Sequence, residues 1–180
     1  MKTDRILVPI DFSDCSRLLV AEAANLGKRL GAGLTLLHVV QPPDGMAADT
    51  PIRPEPDGSS TTVGRYLVDG AWERMPAYVA VARAAQVEVE PRVLMGQAAG
   101  IIVEQAEAGG HGMVVMGTHG RRGMARLLMG SVAEQVLRNC RVPVMTIRTE
   151  HRPDCDARSC QWCASHVMPQ DLDVGVELDG

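Results

Sequence analysis

The chain has 180 residues, enough for one well-buried domain with an appendage but short for two full domains. Aromatic residues make up only 3%, so the core has to be built from Val, Leu, Ile, Met and Ala. The net charge of −4 is uneven, with seven acidic residues against two arginines from Glu150 onward, and neither that tail nor the near-neutral body is a basic nucleic-acid footprint.

Arg5 to Ile10 reads as a buried first strand with Pro9 near its end. Asp11 stops the apolar run too early for a secretory leader, and no later segment approaches a membrane span. The expected compartment is therefore the cytoplasm, with no membrane association. Ser13 is placed to cap a helix carrying Leu18, Leu19, Ala23, Leu26 and Leu30, which Gly31 and Gly33 stop. Cys15 on this helix reads as a small buried residue. Leu34 to Val40 is a second continuous apolar strand, as in a parallel sheet covered on both faces, and His38 within it reads as a satisfied core or strand-end histidine.

Residues 41–63 carry Pro42, Pro43, Pro51, Pro54 and Pro56 with Gly45 and Gly58, and disorder is expected there. A helix is predicted over Tyr66–Gln86, interrupted around Pro76, followed by an alternating, half-exposed outer strand from Val87 to Leu94. Ala98–Ala108 forms a short helix closed by Gly109 and Gly110, and His111 belongs to the turn before the Met113–Met116 strand. A helix over Ser131–Asn139 and a last strand over Val142–Ile147 complete the pattern, with Cys140 read as a second buried thiol. Five strands separated by four helices predict an α/β, doubly wound, five-stranded parallel sheet flanked by helices. Ligands of such sheets sit beyond the carboxyl ends of the strands, where Asp11 and Gly117 both fall.

The stretch with most chemical content is Gly117-Thr118-His119-Gly120, with Gly130-Ser131 following after nine residues. A strand precedes it and a helix follows. Glycines let backbone N–H groups approach an anion, and a helix N-terminus adds unpaired donors with partial positive charge. This is neither a Walker loop nor a strand-linked G-x-G-x-x-G.

The spacing, together with Val114–Gly123, Leu128–Glu134, Val8–Ser13 and Arg141–Val144, resembles the ATP-binding signature of the universal stress protein family. The resemblance implies an adenine nucleotide alpha hydrolase-like domain over residues 1–149, in which 41–63 is a variable proline-rich loop. It implies that Gly117, Gly120, Gly130 and Ser131 hold the phosphates of ATP, with or without Mg²⁺, that Asp11 lies near the ribose, and that backbone around Val39 lies near the adenine. Pro9, Met116, Arg121 and Val132 complete the implied nucleotide site. It also implies a homodimer through the last strand and an unnamed regulatory protein partner. Plainer readings stand beside these. Ser131 and Glu134 form a capping-box pattern, Asp11 is placed to cap the first helix, and Arg121 sits in what is equally a solvated loop. No phosphate-loop lysine or placed acidic pair marks a phosphoryl-transfer centre, and His119 reads as a polar loop residue. The expected function is an ATP-binding regulatory switch in a stress response, with slow hydrolysis or none.

Residues 150–180 form an acidic tail outside that resemblance. Cys155, Cys160 and Cys163, with His166 three residues on, supply the thiolates and imidazole that zinc prefers, and His151 is an alternate ligand. Cys160 and Cys163 also make a C-x-x-C redox pair. A third possibility is an unstructured tail. A metal- or redox-sensing dimeric scaffold with an unused nucleotide cleft is the alternative function.

Overall fold

The computed structural model describes residues 4–13, 15–54, 59–118 and 130–148. In chain order the elements are β1 (Arg5–Pro9), α1 (Ser16–Leu30), β2 (Gly33–Val40), β3 (Pro51–Ile52), β4 (Thr61–Thr62), α2 (Val63–Ala84), β5 (Val89–Met95), α3 (Ala98–Ala108), β6 (Met113–Gly117), α4 (Ser131–Asn139) and β7 (Val144–Ile147). Five of the strands make one parallel sheet in the order β5-β2-β1-β6-β7. The half-buried strand after α2 is an edge strand, as its alternation predicts.

Side-chain alternation divides the core into two layers. Ile6, Val8, Leu34, Leu36 and Val115 face α1 and α2, packing on Val20, Ala23, Met75 and Val79. Leu7, Leu37, Val114 and Met116 face α3 and α4, packing on Ile102, Ala106, Ala133 and Val136. Both layers are aliphatic, apart from Phe12 and Tyr78 in the first.

The largest departure from expectation is the proline-rich segment. Its described residues are ordered: β3 pairs antiparallel with β4 in a strap, Pro51 opposite Thr62 and Ile52 opposite Thr61. Tight turns hold the approach, with Met46 N–H donating to the Pro43 carbonyl at 3.0 Å and Thr50 N–H to that of Ala47 at 3.1 Å. The strap is fastened to α2 because the first N–H groups of a helix lack intrahelical partners. Val63 N–H donates to the Thr50 carbonyl at 3.0 Å, and Gly64 N–H to the Ala48 carbonyl at 2.8 Å. Residues 55–58 lie outside the described set. The same fastening moves the start of α2 from Tyr66 back to Val63, with the Thr62 hydroxyl accepting from Arg65 N–H at 3.3 Å. Pro76 is accommodated inside that helix.

Gly64 is required by this close approach. A Cβ there would lie 2.7 Å from Met95 Cε and 3.0 Å from the Ala48 carbonyl oxygen. Gly64→Val is expected to unlatch the strap at a cost of about 1–3 kcal/mol, the usual range for overpacking. Limited proteolysis checks this: cleavage within residues 41–62 should accelerate well before the rest of the domain is cut.

Smaller corrections follow from local chemistry. Ser13 does not cap α1 with its side chain; Cys15 occupies the cap without a side-chain bond, and Ser13 contributes its carbonyl to Ser16 N–H at 2.9 Å. Cys15 and Cys140 are half-buried rather than buried. The final strand begins at Val144, two residues late, because Pro143 has no N–H for the ladder and offers only its carbonyl, which accepts from Val114 N–H at 2.9 Å.

Candidate functional site

The strand order places a topological switch point at β1. The chain passes from β1 to β2 and β5 on one side, and later returns to β6 and β7 on the other. Loops leaving the carboxyl ends of β1 and β6 therefore diverge to opposite faces and leave a crevice between them. A cleft of about 1380 Å³ opens there.

Three segments distant in sequence line its inner wall. The first is the end of β1 and its loop, including Pro9 and Asp11; the second is the end of β2, including His38 and Val39. The third comprises Met116 and Gly117 at the end of β6 with Gly130, Ser131 and Val132 at the start of α4. Hydrogen bonds tie this third segment together. Thr118 N–H donates to the Ile147 carbonyl at 3.0 Å, and Gly130 N–H to the Thr118 carbonyl at 2.9 Å. Eight of the ten nucleotide-site residues expected from sequence thus meet in one cleft. Gly120 and Arg121 lie outside the described residues, as do His119, His151, Cys155, Cys160, Cys163 and His166. Among the described residues no group of three or more His, Cys, Asp or Glu side chains is arranged to hold a metal ion.

The capping box at α4 does not form. Gly130 is the cap residue, at φ −58° and ψ 144°, and among the described residues no side chain bonds back to cap the helix. Ser131 is already the first helical residue, so its backbone no longer has the extended form that lets an N-cap side chain reach the N3 amide. Glu134 pairs instead with Arg138 at 2.7 Å. The helix therefore presents its N-terminus to the cleft without a side-chain cap, the chemical condition for receiving an anion.

Asp11 has a definite local duty. Its Oδ1 accepts from Ser13 N–H at 3.0 Å and from the Ser16 hydroxyl at 2.9 Å, which folds the β1–α1 loop over the carboxylate. His38 is satisfied at a strand end as expected: its ring nitrogen Nδ1 lies 2.7 Å from the Ile10 carbonyl oxygen, to which it donates.

Sequence reasoning missed the outer wall. Tyr66, Gly70 and Arg74 of α2, with Ser59 and Thr61 of the strap, close the far side of the cleft. Their i, i+4, i+8 spacing on α2 was a usable signal, but the strap they face was read as disordered.

The universal stress protein family profile matches residues 2–148, spanning every described element. The chain belongs to the universal stress protein family. A universal stress protein of Methanocaldococcus jannaschii is 32% identical over 146 residues, covering 80% of this chain and 81% of that protein. Among solved structures, a universal stress protein in complex with cAMP is similar at TM-score 0.62 and 21% identity, over 83% of this chain and 100% of the other. The universal stress protein of Archaeoglobus fulgidus in complex with dAMP is similar at TM-score 0.59 and 21% identity, over 82% of this chain and 100% of its own. These structural likenesses show the universal stress protein fold, a five-stranded parallel sheet flanked by helices. Among the described residues no helix is long and apolar enough to cross a membrane.

Proposed function

We propose that this universal stress protein binds ATP in the switch-point cleft and acts as a nucleotide-dependent regulatory switch in a cytoplasmic stress response, with slow hydrolysis or none. The observation that carries this reading is the convergence of β1, β2 and β6 ends on the uncapped N-terminus of α4. In this reading Val39 and Pro9 border the adenine, Asp11 orders its loop beside the ribose, Gly117 and Gly130 leave room for the phosphates to approach the backbone, and Ser131 receives them through its N–H at the start of α4. Gly120 keeps the phosphate role that the family resemblance implies, and Arg121 would add its positive charge beside it. Met116 and Val132 supply apolar walls, and Mg²⁺ would travel on the phosphates. The complexes of related proteins with cAMP and dAMP support an adenine nucleotide as the ligand class.

Two further parts of the proposal rest on the chain's edges. The edge strand β7, with Met145 43% exposed, is the surface through which a homodimer would form. The tail residues Cys155, Cys160, Cys163 and His166 are the proposed zinc ligands, which elemental analysis of the purified protein tests directly. A regulatory protein partner would read the nucleotide state.

A thermal-shift titration tests the nucleotide reading. Ligand at 100 times its dissociation constant stabilises the folded state by about 2.7 kcal/mol, which for a domain of this size raises Tm by roughly 5–10 °C. ATP is expected to produce such a shift. No shift with ATP, dAMP or cAMP would contradict the reading.

A further inference from the structure

The loop that carries Asp11 into the cleft is bent into a conformation rarely adopted by L residues. Phe12 has φ 59°, in the left-handed region that disfavours a bulky side chain. The other such non-glycine residue described, Gln86, sits in the turn that closes α2, where left-handed backbone is common. Phe12 has no helix end to explain it, so its conformation has to be held by neighbours.

Three elements do the holding, two of them remote in sequence. From β2, the His38 ring stacks on the Phe12 ring with centroids 4.0 Å apart and planes at 28°. The same imidazole takes the Ile10 carbonyl at 2.7 Å. From α2, Arg74 Nη2 donates to the Phe12 carbonyl at 3.0 Å, with its guanidinium carbon 4.8 Å from the centroid of that ring. Tyr78, one turn further along α2, packs on the same ring with centroids 5.2 Å apart and planes at 38°. From α1, Ser16 donates to Asp11 Oδ1. The two carbonyls flanking Asp11 are thus each taken by a side chain from another element.

Arg74 is an exposed residue, and among the described residues its guanidinium forms no ion pair, so the core does not account for its contact with the Phe12 carbonyl. We infer that Arg74, acting with His38, is a positioning residue for nucleotide binding: it holds the Ile10–Ser13 bend that sets Asp11 in the cleft. This rests on the nucleotide reading above. The helix that supplies Arg74 also anchors the strap through Gly64, so one element touches the bend, the cleft wall and the strap.

The test uses the full-length wild type, Arg74→Ala and Arg74→Lys. ATP affinity is measured by calorimetry, backbone order by amide hydrogen exchange at residues 10–13, and global stability by urea unfolding. Arg74→Ala is expected to weaken ATP binding by about two- to tenfold, the factor of one net hydrogen bond, with faster exchange concentrated at the bend and at most a small fall in the unfolding midpoint. Arg74→Lys, which keeps a donor for the Phe12 carbonyl, should recover most of the affinity, a rescue that a merely structural role would not produce. If Arg74→Ala binds ATP as tightly as wild type, the positioning role is overturned while the nucleotide reading stands. If wild type itself binds no ATP, both are overturned.

Discussion

Gly130→Leu is expected to abolish ATP binding while leaving the fold intact. The backbone there, at φ −58° and ψ 144°, is open to any residue with a side chain, so the glycine is not needed for conformation. What it provides is space at the mouth of α4, between Gly117 and Ser131, where the first N–H groups of the helix meet the cleft. A leucine side chain placed over those donors keeps a phosphate group from reaching them and leaves no charge to compensate. The affinity loss should be about 100-fold or more, because several backbone N–H contacts to an anion are lost together. Calorimetry with ATP, paired with urea unfolding of the unliganded protein, measures both halves. An unfolding midpoint near wild type with ATP binding retained would show that the nucleotide does not use the α4 N-terminus.

The second large effect lies at the opposite end of the sheet, in His111. This residue is 5% exposed and both ring nitrogens are engaged. Nδ1 lies 2.8 Å from the Gln105 carbonyl, which can only accept, so Nδ1 carries the proton. Nε2, 2.9 Å from the hydroxyl of the fully buried Thr35, accepts in turn. His111→Ala leaves the Thr35 hydroxyl and the Gln105 carbonyl without these partners in a buried site, and the expected cost is about 3 kcal/mol.

The same geometry gives the fold a pH dependence. Burial pushes the His111 pKa down, and the nearby Arg92 and Arg5 charges add to this, outweighing the Gln105 hydrogen bond and Glu90. The unfolded chain therefore takes up the proton first, as pH falls through about 6.5. Above that point His111 is neutral in both states and stability is full. Below it stability falls, by at most about 1.4 kcal/mol per pH unit, until the folded imidazole also protonates. Glu90 acts in a separate window: its pKa is held below 4.5, chiefly by the Arg92 hydrogen bond, so its contribution is lost only in stronger acid. Urea unfolding between pH 7.5 and 5.5 should show a decline in wild type that His111→Ala flattens. Parallel decline in both proteins would assign the proton to another group.

The contrast between these two sites shows what the sequence made legible. The long apolar runs and their punctuation placed the sheet, and α3 and α4 fall on the residues that periodicity and flanking glycines marked. That Pro9, Asp11, Val39, Met116, Gly117, Gly130, Ser131 and Val132 share one cleft was legible because they lie at or beside strand ends and a helix start, positions that patterning locates directly. The strap was not recoverable. Its order comes from carbonyls of Ala48 and Thr50 meeting the unpaired amides of α2, a non-local bond set that local proline content obscures. The Phe12 bend was equally hidden, since nothing short of its neighbours His38 and Arg74 singles out a phenylalanine for left-handed backbone. His111 lies in the connection between α3 and β6, where the sequence pattern puts it, but its tie to Thr35, across 76 positions, needed the sheet.

The most direct test of the central claim is native mass spectrometry of the full-length protein with added ATP, run beside Gly130→Leu. The account predicts one ATP-sized mass increment per chain for wild type and none for the variant. Wild-type protein that gains no such increment, at ATP concentrations well into the millimolar range, would contradict it.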